Sequence, residues 1–203
     1  MVAIINYGLG NLASILNMHK RLGIDAVITD KKEDLEKATR LILPGVGHFD
    51  KGMQNLDNSG LTGILNKLVL EEKKPILGIC LGAQLMTRSS EEGVEKGLGW
   101  LPADTIRFKF NGTAPLKVPH MGWSDLSLTG QSALWQNLPV EPRFYFVHTY
   151  HFKFDNTGYV TGQSTYGYEF ACAFEKENIF GVQFHPEKSH KYGMAVLNNF
   201  SKL

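Results

Sequence analysis

The segment GICLGAQ, residues 78–84, places a cysteine between two glycines at the point where an apolar run ends. The order glycine, any residue, nucleophile, any residue, glycine is the spacing of a nucleophile elbow, in which a strand turns sharply into a helix. The partial positive charge at the start of that helix favours the thiolate form of Cys80, and the N–H of Leu81 could bind an oxyanion. We therefore interpret Cys80 as a nucleophile rather than as buried packing. Cys172, in EFACAF (169–174), lacks this setting and is interpreted as a packed strand residue.

A thiolate nucleophile needs a partner that accepts a proton and returns it, and histidine does so near neutral pH. Among seven histidines, His185 is distinguished by the segment FHPE (184–187), which follows an apolar strand. In an extended segment, the carboxylate of Glu187 would point the same way as the imidazole and could hold its tautomer, as the acid of a triad does. The sequence thus predicts a Cys80, His185, Glu187 triad, with a simple turn closing the strand as the alternative. The other histidines considered, interpreted as surface or capping residues, are His19, His48 and His190.

The segment LPGVGHF (43–49) adds a glycine-containing loop at the predicted carboxyl end of a strand. Its glycines would let backbone N–H groups face a cleft. It lacks the Lys-Ser/Thr pair of a phosphate-binding loop and the full G-x-G-x-x-G pattern, so phosphate binding is disfavoured. We interpret it as a second donor to an oxyanion.

The elements that must position these residues follow a repeated strand and helix pattern in the first half of the chain. Apolar runs predict strands at 2–6, 24–29, 40–44 and 75–79, and helical spacing predicts helices near 12–19, 31–38 and 60–74. Such an alternation predicts an α/β fold with a parallel sheet and helices on both faces. After about residue 100, alternating aromatic and β-branched residues predict antiparallel or mixed strands, followed by a closing helix near 189–201.

Composition narrows the function classes further. With 203 residues and 43% apolar content, we expect one domain, residues 1–203, with a core of its own. Twenty-one basic against twenty acidic residues give no field that would favour nucleic acid or a membrane surface. Two cysteines outside any CxxC pair predict neither a disulfide framework nor a metal site, and no cofactor is expected. The absence of a signal-like apolar run predicts a cytoplasmic protein.

Three of these motifs, PGVG, GICLGAQ and FHPE, together resemble those of the class I, triad-type glutamine amidotransferases. More narrowly, the chain resembles the glutaminase subunits of imidazole glycerol phosphate synthases. That likeness rests on NYGLGNL (6–12), LPGVGHF (43–49), PHMGW (119–123), YFVHTY (145–150) and GVQFHPEKS (181–189). The resemblance implies a flavodoxin-like, three-layer α/β fold whose central, mostly parallel sheet carries an added antiparallel part.

The same resemblance implies an activity and a set of site residues. It implies glutamine hydrolysis to glutamate and ammonia through a thioester on Cys80, with His185 as acid and base and Glu187 orienting it. It implies a backbone oxyanion hole at Val46 and Leu81. The residues implied to line the glutamine pocket are Gly47, Gln84, Glu92 and Thr149.

The resemblance also implies a partner. In the family, ammonia passes to a (β/α)₈ synthase subunit in a heterodimer, where imidazole glycerol phosphate and AICAR are made for histidine biosynthesis. The residues implied to face that subunit are Asn11, His120, Met121, Trp123 and Lys188. From residue type alone, Trp123 could equally belong to the core.

Two residues depart from the family pattern, and other interpretations stay open. Ala83 stands where Met is common, and Ser124 stands where Asn is usual, which bears on the partner. MTRSSEEG (86–93) and ADTIRF (103–108) are typical of a paralogous group that supplies ammonia to surface-polysaccharide sugar modification. A cysteine hydrolase or protease of the same fold and a degenerate partner-binding module are the remaining alternatives, and the intact triad counts against the module.

Overall fold

The structure is a computed structural model that describes residues 1–110 and 116–203. In chain order, its strands are β1 (Val2–Ile5), β2 (Ala26–Thr29), β3 (Arg40–Gly45), β4 (Ile76–Cys80), β5 (Ala103–Arg107), β6 (His120–Asp125), β7 (Ser127–Leu128), β8 (Arg143–His148), β9 (Tyr150–Phe154), β10 (Val160–Tyr166), β11 (Tyr168–Lys176) and β12 (Ile179–Val182). Its α-helices are α1 (Leu12–Arg21), α2 (Lys32–Lys37), α3 (Phe49–Asn58), α4 (Thr62–Asn66), α5 (Leu81–Leu85) and α6 (His190–Phe200).

Five parallel strands form the centre of the main sheet, in the order β2-β1-β3-β4-β12. Every residue of β1, β4 and β12 is buried, as expected for parallel strands that are covered on both faces. The carboxyl ends of β3, β4 and β12 lie side by side. Gly45 pairs with Cys80 and Val182 pairs with Ile79, so the chain that leaves β12 toward His185 passes beside Cys80.

The later strands extend this sheet in antiparallel fashion. β11 pairs with β12, β10 with β11, and β7 with β10, while β9 joins β11 to β5. β6 and β8 form a separate antiparallel pair, in which His120 lies opposite His148. The parallel centre with its antiparallel extension confirms the predicted fold class.

Two layers of helices cover the two faces of the parallel strands. Side chains alternate along β1, so Ala3 and Ile5 pack in one apolar cluster and Val2 and Ile4 in another. The first cluster includes residues of α2, α3 and α4, and the second includes residues of α1 and α6. None of the helices within the described part of the chain has the length and hydropathy that a membrane span requires.

Some local predictions differ from the structure. The predicted helix at 60–74 is a short α4 that continues as a π-helical segment, Lys67–Glu71. Helix α3 was not predicted, because the glycines and polar residues around 45–60 mask its apolar face. His48 does cap α3, accepting a hydrogen bond from the N–H of Asp50, but His19 is fully buried and donates to the Ile15 carbonyl. The interpretation of His19 as a surface residue is therefore wrong.

Candidate active site

Cys80 lies at the junction of β4 and α5, with its backbone at φ +53°. That angle is in the left-handed region, which non-glycine residues rarely adopt and which a packed structure must enforce. The residue is 7% exposed, so its thiol is nearly enclosed but not sealed. The predicted elbow is present at the carboxyl edge of the sheet.

The glycines on either side of Cys80 are required by close approach of the backbone. A Cβ on Gly78 would lie 2.6 Å from the Cα of Ala83. A Cβ on Gly82 would overlap the carbonyl oxygen of Leu43 at the end of β3. The elbow can form only because both positions lack a side chain.

His185 and Glu187 form a buried pair beyond the end of β12. The imidazole Nδ1 lies 2.8 Å from Oε1 of Glu187, and both side chains are 1% exposed. Because the carboxylate accepts, Nδ1 carries a proton, and Nε2 is the nitrogen that can take up or release a second proton. Nε2 makes no hydrogen bond to the rest of the described chain. Pro186–Lys188 is a 3₁₀ turn, so the extended geometry expected for this segment is wrong although the predicted pairing is present.

Asn11 supports the same carboxylate from the other end of the chain. Its side-chain amide donates to Oε1 of Glu187 over 2.9 Å. The oxygen that binds His185 is therefore held by two donors, which restrains the carboxylate and the ring together. Asn11, which the resemblance places on a partner face, contacts the triad acid directly in this structure.

The charges of this pair oppose the effect of burial. Burial alone would lower the pKa of His185, but the negative charges of a Cys80 thiolate and of Glu187 raise it to about 10. Burial would raise the pKa of Glu187, but its hydrogen bond to His185 and the charge there hold it below the usual value. A protonated His185 and the Glu187 carboxylate therefore stabilise each other.

Cys80 opens into a cavity of about 290 Å³. All the residues predicted for the oxyanion hole and the glutamine pocket line it together with Cys80 and His185: Val46, Gly47, Leu81, Gln84, Glu92 and Thr149. One oxygen of Glu92 accepts from the N–H of Phe49 over 2.7 Å, at the start of α3. The structure thus brings together residues that are spread over more than half of the chain.

Gln183 is a site residue that the sequence reasoning missed. Its amide nitrogen lies 3.6 Å from the Cys80 sulfur, and its oxygen accepts from Gln84 Nε2 over 2.9 Å. Gln84 Nε2 also lies 3.3 Å from the carbonyl oxygen of Tyr150. Gln183 is fully buried just after β12, and a glutamine directly after an apolar strand run was the signal that could have identified it.

The residues predicted to face a partner do not line the cavity, and they differ in exposure. Met121 is 61% and Trp123 is 40% exposed, so Trp123 is not a core residue. Trp123 stacks on His190 and lies under the guanidinium of Arg143. Lys188 is exposed, and its ammonium lies 5.6 Å from the ring centre of Tyr145. His120 is only 2% exposed, and its side chain contacts His148 in the interior of the protein.

The buried histidines predict a loss of stability in mild acid. Burial lowers the pKa of His148 to about 3 and that of His120 to about 4. Below pH ~6.5 the unfolded chain binds protons that the folded chain cannot, so stability falls by ~1.4 kcal/mol per pH unit for each histidine. Urea unfolding between about pH 7 and about pH 5 measures this slope.

A variant separates this effect from other titrations. His120→Asn should reduce the slope of the unfolding free energy against pH by ~1.4 kcal/mol per pH unit, which corresponds to one proton. This change is expected whatever the effect of the substitution on absolute stability. A slope equal to that of the wild type would show that His120 is protonated in the folded state.

An elbow cysteine beside a histidine–carboxylate pair is the arrangement of an enzyme that attacks an acyl carbon through a covalent intermediate. The glutamine amidotransferase class-I family model matches residues 3–203. Imidazole glycerol phosphate synthase subunit HisH 2 of Methanococcus maripaludis is 52% identical over 202 residues, covering 100% of this chain and 99% of the relative. The subunit of the same name from Pseudomonas aeruginosa is 46% identical over 203 residues, covering 100% of both chains.

A solved structure agrees at the level of the fold. The crystal structure of a glutamine amidotransferase superposes with a TM-score of 0.72 at 22% identity, covering 97% of this chain and 99% of that chain. The chain belongs to the class-I glutamine amidotransferase family and is a glutamine-hydrolysing enzyme.

Proposed function

We propose that the chain hydrolyses the side-chain amide of L-glutamine at Cys80, giving glutamate and ammonia. The observation that carries this proposal is the single cavity that Cys80 and His185 share, with the Glu187 carboxylate behind the imidazole. The cavity volume of about 290 Å³ suits a ligand the size of one amino acid, as the proposal requires.

In the first step, the Cys80 thiolate attacks the amide carbon and forms a C–S bond. His185 gives the proton on Nε2 to the departing nitrogen as the C–N bond breaks, so neutral ammonia leaves and a γ-glutamyl thioester remains. The Glu187 carboxylate keeps the proton on Nδ1 throughout and compensates the charge on the ring.

In the second step, water attacks the thioester. Nε2 of His185, now neutral, takes a proton from that water, and the C–S bond breaks to regenerate the Cys80 thiolate. The new γ-carboxylic acid gives its proton to solvent, and glutamate leaves. Backbone N–H groups of Val46 and Leu81 bind the oxyanion in both steps, and the loss of one such donor costs about 3 kcal/mol of transition-state stabilisation.

The polar groups of the cavity suit the ends of glutamine. The Glu92 carboxylate matches the α-ammonium of an amino acid, and backbone groups at Gly47 and Thr149 provide further polar contacts. Both side-chain hydrogen bonds of Gln84 within the described chain use Nε2, which leaves Oε1 for the substrate.

Gln84→Ala should raise the KM for glutamine about tenfold or more, because a buried side chain that contacts the substrate is lost. Steady-state measurement of glutamate formation gives KM and kcat separately. The matched control is Gln131→Ala, which removes an exposed glutamine away from the cavity and should leave both constants unchanged. An unchanged KM in Gln84→Ala would remove Gln84 from the substrate pocket.

We further propose that the ammonia is delivered to a partner synthase. The relatives named above are subunits of imidazole glycerol phosphate synthase. An exposed pair, Met121 and Trp123, supplies an apolar contact, and Tyr145 lies between Trp123 and the ammonium of Lys188. On this proposal the partner is a (β/α)₈ subunit that makes imidazole glycerol phosphate and AICAR, the ammonia is channelled, and Asn11 lies at the edge of the contact.

A second candidate differs only in the acceptor. Both relatives carry the number 2 in their names, and Ser124 differs from the residue usual at this position. These observations favour a paralogous glutaminase that serves a surface-polysaccharide sugar amidotransferase.

Recovery of the endogenous partner tests both versions. The tagged chain is isolated from its own cells, the bound protein is identified, and glutamine hydrolysis is measured with and without it. A cyclase that stimulates hydrolysis supports the histidine pathway, and a sugar-modifying synthetase overturns it. Hydrolysis that never occurs, alone or with the partner, contradicts the glutaminase proposal itself.

A further inference from the structure

A row of side-chain hydrogen bonds crosses the β6–β8 pair from the protein surface to the cavity. Ser124 Oγ lies 2.8 Å from His120 Nε2, and His120 Nδ1 lies 2.9 Å from His148 Nε2. His148 Nδ1 then lies 2.7 Å from the carbonyl oxygen of Tyr150. Both imidazoles are buried, whereas Ser124 is partly exposed.

Elementary hydrogen-bond chemistry gives this row one direction. A carbonyl oxygen only accepts, so His148 carries its proton on Nδ1. In the neutral ring Nε2 must then accept, which places the proton of His120 on Nδ1 as well. His120 Nε2 in turn accepts from the Ser124 hydroxyl. Each of the two rings therefore both donates and accepts, and every polar atom of the two rings is satisfied.

Two features of the backbone make the row possible. His120 and His148 lie directly opposite each other in the β6–β8 register. Gly122, between His120 and Ser124, has φ +131°, a left-handed conformation that a side chain would oppose. The departure from regular strand geometry at Gly122 allows Ser124 to reach a ring four residues earlier.

Aromatic packing holds the His120 ring in place. It stacks on Phe146 with centroids 5.0 Å apart and on Tyr166 with centroids 4.2 Å apart, at interplanar angles of 23° and 20°. These contacts restrict ring rotation, so Nδ1 and Nε2 are held toward His148 and Ser124.

The inner end of the row belongs to the cavity wall. His148 and Tyr150 line the cavity, and the same Tyr150 carbonyl accepts from Gln84 Nε2. Gln84 Nε2 also donates to Gln183, whose amide nitrogen lies 3.6 Å from the Cys80 sulfur. The hydrogen bonds therefore extend from the Tyr150 carbonyl to Cys80. The position of the Tyr150 carbonyl thus sets the orientation of the Gln84 amide.

We propose that Ser124, His120 and His148 are positioning residues for the substrate: their directed hydrogen bonds hold the Tyr150 carbonyl, and through it Gln84, against the bound glutamine. The role rests on the proposed hydrolysis of glutamine. It requires no contact between the three side chains and the reacting atoms.

The first test determines which nitrogen of the His120 and His148 rings carries the proton. In the full chain with ¹⁵N-labelled histidine and without glutamine, long-range ¹H–¹⁵N spectra at neutral pH should show His120 and His148 both neutral and both protonated on Nδ1. Signals are assigned by comparison with His120→Asn and His148→Asn. A proton on Nε2 of either neutral ring, or a doubly protonated ring, overturns the proposal.

The second test measures glutamine hydrolysis by Ser124→Ala, Ser124→Thr and the exposed control Ser127→Ala. Ser124→Ala should raise KM about threefold to tenfold and leave kcat within about twofold, because the cavity wall moves but the triad does not. Ser124→Thr keeps a hydroxyl and should restore KM, and Ser127→Ala should match the wild type. A wild-type KM in Ser124→Ala overturns the positioning role and leaves the proposed function standing. A wild-type chain that is inactive on glutamine both alone and with its partner overturns the proposed function and this role with it.

Discussion

Cys80→Ala should lose glutamine hydrolysis by about 10⁴-fold or more, because no other group at the elbow can form the thioester. The measurement is glutamate formation by the wild type and the variant, with the free energy of unfolding determined for both. Cys172→Ala is the matched control, since Cys172 is fully buried in β11 and does not line the cavity. It should keep the wild-type rate.

A second measurement uses the fact that glutamine hydrolysis and the use of ammonia are proposed to take place in different subunits. In complex with its partner, Cys80→Ala should still support the reaction when ammonia is supplied directly. Residual hydrolysis of glutamine in Cys80→Ala, at a rate near the wild type, would exclude Cys80 as the nucleophile.

Gly82→Ala should lower the free energy of unfolding by about 3 kcal/mol. The new Cβ would overlap the Leu43 carbonyl oxygen and lie 3.0 Å from the Pro44 carbonyl carbon, both of them backbone atoms of β3. Because backbone of the central sheet cannot yield as a flexible side chain can, the elbow must shift. Urea unfolding measures the loss.

Gly63→Ala is the control for this prediction. Gly63 lies in α4 with open space where its Cβ would be, so alanine should leave stability unchanged or raise it by up to about 1 kcal/mol. Equal stability of the two variants would mean that β3 and the elbow do not pack as closely as the structure has them.

The residues that we propose for the chemistry could be identified from the sequence because each lies in a local motif. The elbow around Cys80 and the pair in FHPE are contiguous segments whose residue types and spacing reflect a local geometry. The parallel strands could be predicted for the same reason, since their apolar runs end where the glycine-containing loops begin.

The rest depends on contacts between distant segments. Asn11 and Glu187 are 176 positions apart in the chain, and Gln183 and Cys80 are 103 apart. The pairing of His120 with His148 requires the register of β6 and β8, and no pattern in either strand specifies that register. Prediction from the sequence is limited even over short distances, as the turn at Pro186 shows. The predicted extended geometry was wrong there, although Glu187 still reaches the imidazole of His185.

Covalent labelling by a glutamine analogue tests the central claim most directly. An analogue with an electrophilic side chain in place of the amide is incubated with the full chain, and the modified peptide is identified by mass spectrometry. We expect one adduct, on Cys80, that excess L-glutamine prevents and that His185→Asn slows strongly. Labelling of Cys172, or labelling of Cys80 that glutamine does not reduce, would contradict a glutamine-specific nucleophile at the elbow.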